Sequence, residues 1–439
     1  MEKYFNFAAN KTNFKTEIIA GLTTFLSAMY IIVVNPAIIS STGMSFNGVL
    51  TATVLVSAFS SIMMGIYAKN PILVAPGMGL NAFFTYSIVI GMGIPFEIAL
   101  GAIFWSGIVF LILSIVNIRT LIVKAIPKQL RYAIAAGIGL FITFIGFVNA
   151  KFIVDNPATL IGLGELNSIT ITFLIGLVIT SVLVIKRVKG ALVFGIILTT
   201  IFAIPIGRFY GDAAEINFGV STLVTWQGLI STPDFSYLLS LNLVDSLALS
   251  MFPVIFAFLF TDMFDSISTF IGVSEAADLF DEDGEPRNVK ESLIVDSIAT
   301  TISGLFGTSS GTSYIESATG VEEGGRTGLT AVVAGLLFLP FIFFSPLLSI
   351  VPAIATAPSL ILVGVFMMKP VLRINWTELD DAIPAFFAMI LIPLTYSITQ
   401  GIIWGFLSWT IIKIAVGKRH EVTLMLIIID LLAILALVL

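Results

Sequence analysis

The stretch Pro71-Ile-Leu-Val-Ala-Pro-Gly-Met-Gly-Leu-Asn-Ala-Phe-Phe84 decides how this chain is read. Pro76, Gly77 and Gly79 break any helix there, and Leu80 onward can start one. About twelve helical residues follow, to near Ile90, which is roughly 18 Å of helix in a hydrocarbon core ~30 Å thick. Such a helix is expected to begin near the bilayer midplane, its free N–H groups and positive dipole end facing a cavity. Asn81 sits in that first turn and can both donate and accept. The bland alternative is a tight loop capping an ordinary helix.

A second interruption reads Gly304-Leu-Phe-Gly-Thr-Ser-Ser-Gly-Thr-Ser-Tyr-Ile-Glu-Ser-Ala-Thr-Gly320. It is too polar for a lipid-facing helix. Irregular backbone at membrane depth survives only where protein or a water-filled cavity covers it. The run predicts an extended stretch leading into a short helix from Tyr314 to Gly320, with Glu316 in its first turn, where the dipole favours negative charge. The alternative is a polar surface loop.

Composition supports a membrane reading. The 439 residues are 57% hydrophobic and 11% charged, with a mean hydropathy of +1.06, whereas soluble domains carry about 25% charged residues. Phe (37) and Gly (36) are abundant, as suits packed membrane helices. With no Cys and the single His420, disulfides, thiol catalysis, thiolate metal sites and histidine proton relays are excluded. No GxxxxGK[ST] or HExxH pattern points to hydrolysis of ATP or peptides, so neither an enzyme nor a cofactor is expected, and nothing suggests nucleic acid. Residues 1–15 are polar and basic, without a signal-peptide pattern.

Apolar segments fall near 16–37, 46–67, 95–117, 129–149, 167–185, 190–207, 248–274, 290–307, 325–346, 350–368, 382–398 and 400–416. With the two short segments, Gly79 to Ile90 and Tyr314 to Gly320, this makes fourteen. A final apolar stretch, 421–439, could span, re-enter or lie flat. With the N-terminus in the cytoplasm, all but Lys151 and Arg208 of the 21 Lys and Arg fall in inside loops, as the positive-inside rule requires. Arg119 and Lys124 belong to that set. The bias holds only if both short segments count as crossings.

The expected fold is therefore an all-α polytopic membrane protein. A cytoplasmic N-terminus (1–15) precedes a seven-segment repeat (16–207), an extracytoplasmic connector (208–247) with Asp212, Glu215, Asp234 and Asp245, a second repeat (248–417) and a basic and apolar tail (418–439). Seven is odd, so the second repeat is inverted relative to the first. Each has its short segment in third place, the best sequence pointer to a transporter's site.

Segment eight holds Asp262, Asp265, Ser266 and Thr269 at spacings that share a helix face. An Asp mid-helix costs at least about 2.5–3.5 kcal/mol on insertion scales. Two on one face need a polar lining, a partner or a proton. Buried carboxyls favour the neutral form, so one of the group can carry a coupled proton. Asp262 reads equally well as structural or functional. Asp265 reads as functional. Asp296 in segment nine fits either helix packing or a secondary proton group. Asn35-Pro36 is expected to end or kink segment one, and Asp278 to Glu285 to form a solvated loop.

At Ala75-Pro-Gly-Met-Gly-Leu-Asn-Ala-Phe-Phe84, Asp262-Met-Phe-Asp-Ser-Ile-Ser-Thr269, Ser313-Tyr-Ile-Glu-Ser-Ala318 and Gly324-Gly-Arg-Thr-Gly-Leu-Thr330, the chain resembles the xanthine/uracil permease (nucleobase–ascorbate transporter) superfamily. The branch is the azaguanine-like one of adenine, guanine and hypoxanthine permeases. The resemblance covers nearly the whole chain. It implies a core domain (segments 1–4 and 8–11), a gate domain (5–7 and 12–14), proton symport and, for many members, a homodimer. It places substrate contacts on Gly79, Asn81, Asp265 and Glu316. Some branches carry His where Thr269 stands, so a histidine coupling scheme does not transfer.

The expected activity is uptake of a purine nucleobase with a proton across the plasma membrane. Glu316 would accept ring N–H groups, Asn81 would orient the ring, and Phe83 or Tyr314 would stack on it. Asp265, Asp262 or Glu316 would carry the proton. The alternative is an anion transporter or channel, or a carrier of another small planar solute, on the same architecture. Two facing helix N-termini suit an anion; three carboxylates without a Lys or Arg do not.

Overall fold

A computed structural model describes residues 2–116, 127–210, 228–277, 279–280 and 286–438. Arg119, Lys124, Asp212, Glu215 and most of the Asp278–Glu285 run lie outside them. The first half runs α1 (Glu2–Phe5), α2 (Phe14–Ala28), α3 (Ile31–Ile39), α4 (Phe46–Met63), β1 (Val74–Pro76), α5 (Met78–Ala82), α6 (Phe96–Ile115), α7 (Lys128–Asn149), β2 (Ile153–Asn156), β3 (Leu160–Leu163), α8 (Ser168–Ile185) and α9 (Ala191–Tyr210). The second half runs α10 (Phe252–Ala277), α11 (Val289–Phe306), β4 (Gly311–Ser313), α12 (Ser317–Glu322), α13 (Gly328–Phe338), α14 (Ser345–Leu348), α15 (Ala353–Phe366), α16 (Leu379–Thr395), α17 (Ile398–Ala415) and α18 (Leu424–Val438).

Eight helices among the described residues are long and apolar enough to cross a membrane. Shorter apolar helices cover Met78–Gly91, Ala191–Ala203 and Gly328–Phe343. The helices start where the sequence supplies a cap. Asn13, Ser45, Asn167, Thr327 and Ser397 each accept a backbone N–H of the first turn, satisfying donors the helix leaves unpaired.

Three details depart from the sequence reading, and a fourth fills in what it left open. The chain is not wholly helical: β1 pairs with β4 and β2 with β3, both antiparallel. The break in the first segment falls at Met29–Tyr30 rather than at Asn35-Pro36, and Pro36 sits inside α3. There the turn tightens, with Ile32 N–H donating to Met29 O and Val33 N–H to Tyr30 O, both at 3.1 Å. Helix α9 carries on to Tyr210, past the expected start of the connector. The apolar tail is a helix, α18, packed on α17 and α10.

The helices fall into two sets by their packing. One holds α2–α6 and α10–α13; the other holds α7–α9 and α15–α17. Contacts are dense inside each set and sparse between them. Small residues allow the density: a Cβ on Gly328 would strike the carbonyl of Gly65, and one on Gly304 would lie 2.7 Å from the Leu100 carbonyl.

Lys413, 1% exposed, ties the start of α16 to the end of α17. Its Nζ lies 2.7 Å from Asp380, 2.6 Å from Asp381 and 2.8 Å from Glu421, and 4.5 Å from the centre of the Trp409 ring. Lys418 adds a contact to Asp380 at 2.7 Å. The hydrogen bonds from Lys413 and Lys418 hold the Asp380 carboxyl down to about 2, against an ordinary value of 3.8. A depressed carboxyl stabilises the fold fully above its unfolded value, and that stabilisation is lost as pH falls through the folded value. Asp380→Asn is therefore expected to lower the melting temperature of detergent-purified protein at pH 6. The gap from wild type should close as pH falls from 4 towards 2. A gap independent of pH would show that Asp380 acts by packing alone.

Candidate functional site

The two broken segments meet backbone to backbone. In the pairing of β1 with β4, Val74 faces Ser313, Ala75 faces Thr312 and Pro76 faces Gly311. The pairing extends at both ends, with Gly77 N–H donating to Ser310 O and Tyr314 N–H to Leu73 O, each at 2.9 Å. Side chains complete it. Ser61 Oγ donates to Val74 O at 2.9 Å, Leu73 N–H donates to Ser317 Oγ at 2.9 Å, and Tyr314 O–H donates to Pro76 O at 2.5 Å. Exposed proline and glycine backbone that lipid could not tolerate is thus paired inside the protein.

From this crossing α5 and α12 depart. Asn81 sits in α5, fully buried. Its Nδ2 donates to Asn35 Oδ1 at 3.0 Å, and its Oδ1 has no hydrogen-bond partner among the described residues. Asn35 Nδ2 donates in turn to Thr53 at 2.7 Å and Thr308 at 2.8 Å. This amide chain joins α3, α4, α5 and the loop before β4. Gly79, the expected substrate contact, faces a helix of the other set: a Cβ there would lie 2.5 Å from Ile138 Cγ2 of α7.

Glu316 is the cap residue before α12 rather than a member of its first turn. It is half-buried, and Tyr30 O–H donates to its Oε1 at 2.7 Å. Tyr30 is 1% exposed and sits at the break between α2 and α3. Asp265 is also half-buried and near enough for the Glu316 charge to act on it. Near them Ile315, an apolar residue, is 43% exposed, and Ser268 is exposed too.

Asp262 is placed differently. It is fully buried behind β4, where Thr300 O–H donates to it and its Oδ1 has no hydrogen-bond partner among the described residues. Asp296 lies in the same layer, with Ser313 O–H donating to its Oδ1 at 2.9 Å. Ser266 and Thr312 close the layer at 2.9 Å. The crossing thus has two partly exposed carboxylates, Glu316 and Asp265, and two fully buried ones, Asp262 and Asp296.

Phe83 and Tyr314 present no open ring face. Phe83 is 1% exposed and meets Phe258 edge-on at 5.0 Å. Tyr314 is 5% exposed, its ring 6.5 Å from that of Tyr30. Tyr30 is the residue the sequence reading missed. Its signal was its position: a Tyr in mid-segment rather than at the interface where Tyr collects. Another buried carboxylate, Glu17, has the ordinary structural role. It accepts from Arg326 N–H at 2.9 Å and Thr330 O–H at 2.6 Å, capping α13.

Asn35→Ala removes one donor group and one acceptor that serve four buried partners, Thr53, Thr308, Asn81 and Ser309. It is expected to cost about 2–4 kcal/mol of stability, since each stranded buried group costs about 1–3 kcal/mol. A thermal-shift measurement in detergent checks this, and a shift no larger than that of Ser40→Ala at the helix end would refute it.

Comparison with known proteins places the chain. A family model described as Permease family matches residues 15–403. The adenine permease AdeP of Escherichia coli (strain K12) is 42% identical over 441 residues, covering 100% of this chain and 96% of its own. The guanine/hypoxanthine permease PbuO of Bacillus subtilis (strain 168) is 41% identical, covering 95% and 96%. Among solved structures, the transmembrane domain of the cyanobacterium bicarbonate transporter BicA superposes with a TM-score of 0.65 at 16% identity, covering 90% of this chain and 97% of that one. That likeness is one of fold. The chain belongs to the permease family that matches it, and is a multi-pass membrane transporter rather than an enzyme.

Proposed function

We propose that this permease takes up a purine nucleobase together with a proton, by alternating access, across the plasma membrane with its N-terminus in the cytoplasm. The observation that carries the reading is the pair Glu316 and Asp265, two half-buried carboxylates at the crossing, in a chain 41–42% identical to permeases named for adenine and for guanine and hypoxanthine. A purine offers N–H donors at its edge and acceptors in its ring. Tyr30 fixes one oxygen of Glu316 and leaves the other for a ring N–H. The unsatisfied Oδ1 of Asn81 can take a further N–H once the amide turns towards the ligand. Asp265 binds directly or carries the proton, and Asp262 is the reserve group behind it. An anion would meet two carboxylates here and no Lys or Arg among the residues just described.

The reading includes fourteen segments as seven plus seven inverted, with core and gate matching the two helix sets. The sparse packing between the sets supports a motion of one against the other. Neutralising a carboxylate by proton loading changes the cost of moving the site past the apolar surface of the gate. A homodimer is compatible with the reading, and its test is the oligomeric state in detergent.

The deciding measurement is uptake of labelled adenine, hypoxanthine, guanine, xanthine and uracil into proteoliposomes, with and without an inward proton gradient. Gradient-driven purine uptake is expected. Glu316→Gln and Asp265→Asn should each reduce kcat/KM by about 10–100-fold, the worth of a hydrogen bond to a charged group. Tyr30→Phe should raise KM by about tenfold with a smaller change in kcat, because it loosens Glu316 without removing it. Absence of uptake of every nucleobase by folded protein would sink the purine assignment.

A further inference from the structure

The helix that carries Asn81 continues through wider π-type turns, Phe83–Gly91, to the end of the molecule where α16 turns into α17. There the two helix sets meet on side chains. Ser87, 6% exposed, donates its O–H to the Tyr396 carbonyl at 2.5 Å. Asn149 of α7 donates to Tyr86 O–H at 3.1 Å. Three rings meet the Tyr396 ring at steep angles: Tyr86 at 6.3 Å and 82°, Phe141 at 5.3 Å and 86°, Phe144 at 5.5 Å and 64°. Tyr396 itself holds φ at +55°, a conformation costly for a bulky residue. The turn keeps it there while Ser397 N–H donates to Ile392 O at 3.1 Å. A strained residue held by contacts from two bodies is what a separable closure needs.

The other end is looser. Ile315 and Ser268 are exposed on that side of Glu316 and Asp265. The ion pair that joins the sets there, Lys189 to Glu323 at 2.8 Å, is itself 50% and 37% exposed, and such pairs are worth little. The charge pattern assigns the Tyr396 end to the outside.

We infer that Tyr396, with Tyr86, Ser87 and Asn149, is the closure that seals the site from the outer face, and that these contacts must part for a solute to enter from there. This rests on the two-body transport reading given above. The chain has no native Cys, so introduced pairs report cleanly. In Ser87→Cys/Tyr396→Cys, and separately in Tyr86→Cys/Asn149→Cys, a short bis-thiosulfonate should link the two positions. Uptake should fall at least about tenfold and recover on reduction. Linking with undiminished uptake, or no link in either folded pair, overturns the inference. One readout needs no substrate. Ser87→Cys in right-side-out vesicles should react slowly with an impermeant maleimide, and about tenfold faster when Tyr396→Ala is added. Equal rates also overturn it. Failure of the purine reading would appear instead as no uptake by the unmodified protein, with the labelling difference intact.

Discussion

The rest of this molecule depends on one constraint: backbone N–H and C=O groups at membrane depth must find partners within the protein. Two stretches rich in Pro, Gly and Ser break that rule if taken singly. Taken together they satisfy it, because β1 and β4 pair with each other. The pairing forces the two halves of the chain to meet at one point, and it fixes where α5 and α12 begin. Because the pairing is antiparallel, α5 leaves the crossing at the Gly311 end and α12 at the Val74 end, so Asn81 and Glu316 stand at its two ends.

The same pairing sorts the acidic residues. A carboxylate in a protein interior is costly unless it is paired, protonated or wetted. Glu17 meets the first condition, with donors from the start of α13. Asp380 and Asp381 meet it through Lys413 and Lys418. Glu316 and Asp265 are partly exposed at the crossing. Asp262 and Asp296 have hydroxyls as their named donors, and each retains a buried oxygen without a partner among the described residues.

Much of this was legible in the sequence for physical reasons. Pro76 and Gly77 disfavour a helix where they stand, and the Gly304–Gly320 run is too polar for lipid, so both breaks could be placed, although Gly79 falls inside α5. What the sequence could not supply was side-chain direction. Phe83 and Tyr314 read as stacking rings because they flank the breaks, yet Phe83 turns into Phe258 and Tyr314 spends its hydroxyl on Pro76 O. Tyr30 went unnoticed because its partner lies 286 positions away. The resemblance puts a substrate contact on Gly79, and in this conformation Ile138 lies against it. The break at Met29–Tyr30 carries no Gly or Pro and so left no local mark.

The way the helices touch separates what moves as one from what can part. Inside the first set, backbones press together at positions where any Cβ would collide: Gly65 with Gly328, Gly320 with Ala20, Gly304 with Leu100. The second set does the same at Gly137 with Met389 and Gly401 with Ala388. Such contacts interlock main chains, and a sliding motion within a set would drive atoms through one another. Between the sets the contacts are of another kind. They include the Tyr86 ring against Tyr396, the Ile138 side chain over Gly79, and an exposed ion pair. Side chains can change rotamer where backbones cannot, at a cost of order 1 kcal/mol or less for each rather than the several a forced main-chain shift would need. The seam is therefore the surface along which this fold yields most cheaply.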